Sequence, residues 1–164
     1  MIKTKEITRT AAFVSVALLL GYVESLFPPI AAGVKIGLAN AVVLTVLYTD
    51  GWKKAFVVSI LKVILCMALF GSMTSFIYSL SGAVISFAVM LISEKSGIFS
   101  LISVSGLGGL FHNLAQFLCA YLIIGKGVAL YLPVLCLSGI LCGILTGIAA
   151  QIIIKRRREL FGKE

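Results

Sequence analysis

Between Ala55 and Phe70 the chain is almost wholly apolar, and in the middle of that run stands one cation, Lys62. A lysine at the centre of so hydrophobic a segment costs about 2.5–3.5 kcal/mol to place in a bilayer. It is tolerated where neighbouring helices or trapped water shelter it, so the fold has to supply a sheltered interior. The run opens at Trp52-Lys53-Lys54, breaks at Gly71-Ser72 and returns with Ser75, Tyr78, Ser79 and Ser81. The simplest fold is a box of helices built around these polar groups.

Composition points the same way. Hydrophobic residues make up 60% of the chain and charged ones 12%, and the mean hydropathy is +1.15. These values describe an all-α polytopic membrane protein, and 164 residues leave room for one transmembrane domain, residues 1–164. The pI near 9.5 invites a nucleic-acid partner. The cations, however, flank apolar runs, so topology accounts for them and no nucleic acid is expected. Cys66, Cys119, Cys136 and Cys142 all lie inside apolar runs without a CxxC pair, and the chain has a single histidine. They read as buried free thiols, and no metal site is expected. The first apolar run continues into polar sequence without a small-residue cleavage pattern, so no signal peptide is expected.

Crossing a bilayer takes about 20 helical residues. Six segments are predicted as transmembrane helices: Thr8–Phe27, Ile36–Tyr48, Trp52–Phe70, Met73–Ile92, Val104–Ile124 and Val128–Ile154. Pro28-Pro29 stops the first, because proline lacks an N–H and disfavours helix before it. The second is short for a full span. With the N-terminus inside, the cytoplasmic side receives eleven of the fourteen cations, among them Lys53, Lys54, Lys95 and the Lys155–Arg158 run. Lys35 and Lys126 fall outside, and Lys62 within the membrane. So strong a bias supports six helices with both ends cytoplasmic.

Small residues set how such helices associate, since lipid is as apolar as leucine and packing must drive contact. Gly139, Gly143 and Gly147 form a GxxxGxxxG ladder on the sixth helix. The first helix carries Ala11-xxx-Ser15 and Ala17-xxx-Gly21. One ladder can serve the bundle and the other a partner subunit, or both can serve the bundle.

The polar groups in or near the hydrocarbon are Glu24, Asn40, Lys62, Tyr78, His112, Asn113 and Gln116, with Lys35 close by in the first outer loop. His112 and Gln116 are i, i+4 and Asn113 and Gln116 are i, i+3, so they share a side of the fifth helix. Their depths are compatible with one cavity opening outward. Its ligand would be small and anionic or amide-bearing, with Lys62 and Lys35 supplying positive charge. The other reading is an internal polar network that glues the helices. Catalysis is not expected. Asp50 is the only aspartate, at an inner loop, so no paired carboxylates exist to hold magnesium on a diphosphate. No P-loop pattern is present, and no nucleophile has an evident base beside it. Uphill transport would need a partner or an ion gradient.

Several stretches resemble a known family. Gly21–Ser25 (GYVES), Gly33–Asn40 (GVKIGLAN), Leu69–Gly82, Phe111–Gln116 (FHNLAQ) and Tyr131–Gly147 are similar to the Gx transporter family, also called heptaprenyl diphosphate synthase component I-like. That family is grouped with the substrate-binding S components of energy-coupling factor (ECF) importers. The resemblance implies a six-helix S-component-like bundle in a bacterial plasma membrane, with an outward pocket capped by the loop after the first helix. It also implies docking to a transmembrane coupling subunit driven by two ATPases, the protein itself needing no cofactor. Glu24, Lys35, Asn40, Ser72, Tyr78, His112, Asn113 and Gln116 stand on the family's recurrent polar positions. Lys62 stands where arginine is more usual, keeping the charge but losing the bidentate fork. Ala17 and Gly21 match the docking face of S components loosely. The alternatives are an accessory component of prenyl diphosphate synthesis and a stand-alone carrier, the latter weakened by the lack of an inverted repeat.

Overall fold

The computed structural model of the chain describes residues 2–26 and 37–162, without the side chains at 2, 3, 24 and 161. The expected stop at Pro28-Pro29 and the outer loop through Gly33 and Lys35 lie outside the described residues. Those residues form six α-helices: α1 (Ile2–Ser25), α2 (Leu38–Asp50), α3 (Trp52–Phe70), α4 (Met73–Ser96), α5 (Leu101–Ile124) and α6 (Leu132–Phe161). A 3-10 segment, Lys126–Tyr131, joins α5 to α6.

The bounds of α3 are as expected from the sequence; other ends differ for local reasons. α1 begins at Ile2 rather than Thr8, because lysine and glutamate are good helix formers and carry the helix past the apolar run. α6 continues through Lys155–Arg158 to Phe161, where cations suit a helix C-terminus. The segment from Val128, expected as the start of α6, is a 3-10 turn, and α6 begins beside Pro133. Between α2 and α3 the chain reverses within a single residue, Gly51, at φ +89°, a conformation that favours glycine.

Four stretches are long and apolar enough to cross a membrane: Thr4–Val23, Met73–Ser96, Leu101–Ile124 and Lys126–Leu160. α3 is 19 residues long and carries three lysines, and α2 has only 13 residues. Large apolar side chains face outward on these helices, including Leu19, Leu122, Leu137 and Leu145, each more than half exposed. A surface of this kind belongs in lipid rather than water.

The helices pack as a ring. α2 touches α3, α3 touches α4, α4 touches α5, α5 touches α6, and α6 closes back on α2, while α1 lies along α2 and α3. The α5–α6 contact is the most extensive. Its cause is the glycine ladder of α6. A Cβ on Gly139 would come within 2.6 Å of the Gly109 carbonyl oxygen, and one on Gly147 within 2.9 Å of the Ser105 Cβ. A Cβ on Gly109 would strike the Gly139 oxygen. Glycine at both positions lets the backbones touch. Gly108, one residue along, faces α4 instead, where Met90 lies against it and Ser86 Oγ donates to its carbonyl at 2.8 Å.

The apolar core sits in the half of the bundle that holds the N-terminus of α1 and the C-terminus of α6. It is built from Val42–Leu44, Val46 and Leu47 of α2, with Val14, Val58, Phe87, Val104 and Ala150 from the other helices. Ala17 is fully buried in this core, and a Cβ on Gly21 would lie 3.2 Å from Cys66 Sγ. The docking face expected from Ala17 and Gly21 is therefore turned inward, where small residues let α1 approach α2 and α3. Ala11 and Ser15 are exposed.

Asp50 closes the same end. It is the last residue of α2, not a loop residue, and its side chain is only 3% exposed. Arg9 of α1 meets one carboxylate oxygen at 2.9 Å, and Arg157 of α6 meets the other at 2.9 Å. Thr49 donates to the second oxygen at 2.6 Å. Three helices are thus tied at one carboxylate. Beside it Lys53 and Lys95 each lie 5.7 Å from the Trp52 ring, linking the ends of α3 and α4.

Candidate functional site

The opposite half of the ring is hollow. A cavity of about 690 Å³ lies among the helices on the side away from Asp50. Asn40, Lys62, Ser72, Tyr78, His112, Asn113 and Gln116, singled out from the sequence, all line it. Lys35 and the side chain of Glu24 lie outside the described residues.

Each polar group has a local reason for its place. Lys62 projects from the middle of α3, and its Nζ donates to Asn40 Oδ1 at 2.6 Å, in the first turn of α2. Gly37, at φ +79°, turns the chain into α2 there. At 1.5 Å per residue, Lys62 stands about 15 Å along α3 and His112 about 16 Å along α5, so the two share a level. The His112 ring lies against Gly82 of α4, where a Cβ would come within 2.7 Å of Cε1. Gln116 Nε2 and His112 Nε2 are 3.1 Å apart, as their i, i+4 spacing implies.

Two of the expected ligand contacts also serve the fold. Asn113 Nδ2 donates to the Leu135 carbonyl at 2.8 Å and approaches Ser138 Oγ at 3.4 Å, so its amide binds α6. Ser72 is the N-cap of α4 and accepts from the Ser75 N–H at 3.1 Å. Ser72 borders the cavity through the same turn that starts the helix.

Other lining residues were not expected from the sequence at a ligand site; Gly21 was expected at a docking face instead. Gly21 and Ser25 bring α1 to its wall, and Ser86, Met90, Ser105 and Thr146 also line it. Thr146 stands beside the ladder glycine Gly147, and Ser105 three residues before Gly108, so the glycine pattern was the available signal. Cys66 and Cys142 also line the cavity. None of the four cysteines is part of a disulfide, and all are half-buried rather than buried as expected.

The arrangement offers a cation, an imidazole, an amide and hydroxyls around a void, with apolar walls from Val63, Phe70 and Phe117. Such a wall binds by charge and hydrogen bonding at a few points and by apolar contact elsewhere. Among the described residues no cluster of three or more His, Cys, Asp or Glu is placed to hold a metal ion.

A helical, membrane-associated component with a polar-walled hollow is the class that fold and site define. A family model described as heptaprenyl diphosphate synthase component I matches residues 13–153. The chain belongs to that family, under the second of the two names its motifs suggested. No curated protein and no solved structure matches the chain.

Proposed function

We propose that the chain is the solute-binding subunit of an ECF-type importer, spanning the bacterial plasma membrane six times with both termini cytoplasmic. It captures a small molecule from outside, and partner ATPases acting through a coupling subunit supply the energy. The observation that carries this reading is the asymmetry of the bundle. Its outer half holds a cavity of about 690 Å³ walled by Lys62, His112 and Gln116, while its other half is a filled core. A network serving only to glue helices has no need of a void that size. Ionisable groups inside a membrane favour a functional reading.

Purification tests it. The protein, gently extracted, should retain a small molecule in one-to-one amount, detected by native mass spectrometry. Lys62→Ala and His112→Ala should each lower its retention by about tenfold or more, the weight of a charge-assisted or buried hydrogen bond. A protein that neither retains nor takes up any small molecule sinks the reading.

The printed family name favours one second reading, a membrane component of heptaprenyl diphosphate synthesis. On this reading too the chain is not the catalyst. Its single aspartate is bonded to two arginines and cannot anchor magnesium on a diphosphate. Co-purification with a soluble prenyl synthase, and altered product length on deletion of the gene, would favour it over the importer.

A further inference from the structure

We propose that Trp52, Lys53 and Lys95 form a site for the headgroup of an anionic phospholipid, in the leaflet at the end of the bundle that holds Asp50. This rests on the membrane-spanning arrangement proposed above and is independent of the solute in the cavity.

Three residues from two helices meet there. Trp52 is the first residue of α3, and Lys95 lies in the last turn of α4. The helices are neighbours joined through Gly71-Ser72, so the start of one lies beside the end of the other. The Lys53 and Lys95 ammonium groups each stand 5.7 Å from the centre of the Trp52 ring. That is within reach of the ring's attraction for a cation. The ring is neutral, however, and cannot cancel two positive charges gathered at it. Neither lysine is ion-paired with a carboxylate among the described residues, whereas Lys54, one position on, is bonded to Glu6 at 2.9 Å. Both lysines and the indole are exposed. An anion beside the ring meets both charges and relieves their mutual repulsion.

The adjoining surface says what carries that anion. Phe56 and Val57 stand one turn beyond Trp52 and Lys53 on α3, and Ile92 one turn before Lys95 on α4. All three are exposed. The Phe56 and Phe87 rings, 5.3 Å apart, join the two helices at this level. From the end of the bundle inward the order is charge and indole, then an apolar face. A phospholipid has the matching order of phosphate, then acyl chains. Indoles favour the headgroup level of a bilayer, and basic sites between helices on the cytoplasmic side take phosphate headgroups. An acidic segment of a soluble protein would meet the lysines but leave the apolar face bare. Phosphatidylcholine brings its own ammonium and no net charge, whereas phosphatidylglycerol brings an uncompensated phosphate.

Trp52 is the only tryptophan in the chain, so its fluorescence reports this site alone. The test uses the full chain in mixed bilayers of phosphatidylcholine and phosphatidylglycerol, with bromine on the acyl chains of one lipid or the other as the quencher. Relative affinity is read from how far quenching departs from the bulk lipid ratio. Brominated phosphatidylglycerol should be preferred about 20-fold, the weight of two lysines near a membrane surface. Lys53→Gln and Lys95→Gln should each lower the preference about fivefold, and the double variant should bring it to parity. Lys53→Arg with Lys95→Arg keeps both charges and should keep the preference. Arg156→Gln with Arg158→Gln removes as much charge from the same end, but on α6, which packs against α2 and α5. That control should stay within twofold of the parent.

Quenching that follows the bulk ratio in the parent protein overturns the inference and leaves the solute-binding reading standing. So does a control pair on α6 that falls as far as the lysine pair, since the general charge of that end would then be the cause. Polyglutamate that relieves the quenching by phosphatidylglycerol overturns the lipid as occupant in favour of an acidic protein segment. No quenching by either lipid removes Trp52 from the bilayer boundary and overturns both this inference and the six-span arrangement beneath it.

Discussion

The two halves of the bundle treat buried polar groups in opposite ways. At one end Asp50 is enclosed, and each carboxylate oxygen has an arginine at 2.9 Å. Apolar side chains from every helix fill the space around it. At the other end Lys62, His112 and Gln116 stand on the wall of a void. A buried charge is costly in either place unless it is bonded. Where it is enclosed by partners from three helices, it fixes the helices. Where space is left beside it, it can meet a ligand. The difference teaches that an intramembrane charge is read by the volume around it, not by its presence.

Asp50→Ala tests the filled half hardest. Removing the shared carboxylate takes from Arg9 and Arg157 the acceptor they share at the end of the core. Loss of one partner of a buried pair costs about 3–5 kcal/mol. The low end is expected, because both arginines are part-exposed, at 38% and 24%, and can turn to water. Thermal unfolding in detergent should show the loss, while ligand affinity per folded molecule should stay within twofold. The exposed Lys54–Glu6 pair, also at 2.9 Å, contributes little, so Glu6→Gln is the matched control.

Gly109→Ala comes next. The new methyl collides with the Gly139 carbonyl, which is backbone and cannot step aside. Overpacking of this kind costs about 1–3 kcal/mol. Because α5 carries His112 and Gln116, this change should lower both stability and binding, unlike Asp50→Ala. Gly108→Ala is the milder partner, since it meets the flexible end of Met90. A stability loss for Gly108→Ala that matches Gly109→Ala would contradict the assignment of the two glycines to different neighbours.

Much of this was legible in the sequence because local signals carried it. The apolar run with its proline-free interior marks α3 end to end. The GxxxGxxxG spacing announces a close helix contact, and the i, i+4 pair His112 and Gln116 meet as written. Contacts that depend on distant residues were not legible. Arg157 lies 107 positions from Asp50 in the chain, and nothing near the aspartate announces it. Seen alone, an aspartate before Gly51 looks like a turn residue. The two small-residue faces of α1 are likewise indistinguishable by spacing; only the position of α2 and α3 decides that Ala17 faces in. The level shared by Lys62 and His112 follows from counting residues, whereas the width of the space between their helices does not.

Gly82→Ala probes the hollow half with a smaller effect. The added methyl would lie within 3 Å of three atoms of the His112 ring, a side chain that can shift. Stability should therefore change little, while ligand retention should fall about tenfold as the imidazole leaves Gln116. Equal binding by the variant would separate His112 from the ligand and reduce the wall to Lys62 and its neighbours.

The smallest effect on the isolated protein belongs to the outer face of α1. Ser15 is exposed, and its hydroxyl is bonded to the Ala11 carbonyl one turn back, at 3.0 Å. Ser15→Leu adds an apolar side chain to a surface that already presents Leu19 and Tyr22 outward. Stability and ligand retention should both stay within about 0.5 kcal/mol of the parent, as for surface substitutions generally. If a coupling subunit docks on the small residues that remain outward on α1, the same leucine keeps the two backbones apart, and co-purification with that subunit should drop. Ala17→Leu would instead unfold the bundle, because that position is inside the core. A Ser15→Leu protein that still co-purifies in full would move the docking surface off α1 and leave the comparison of the two halves untouched.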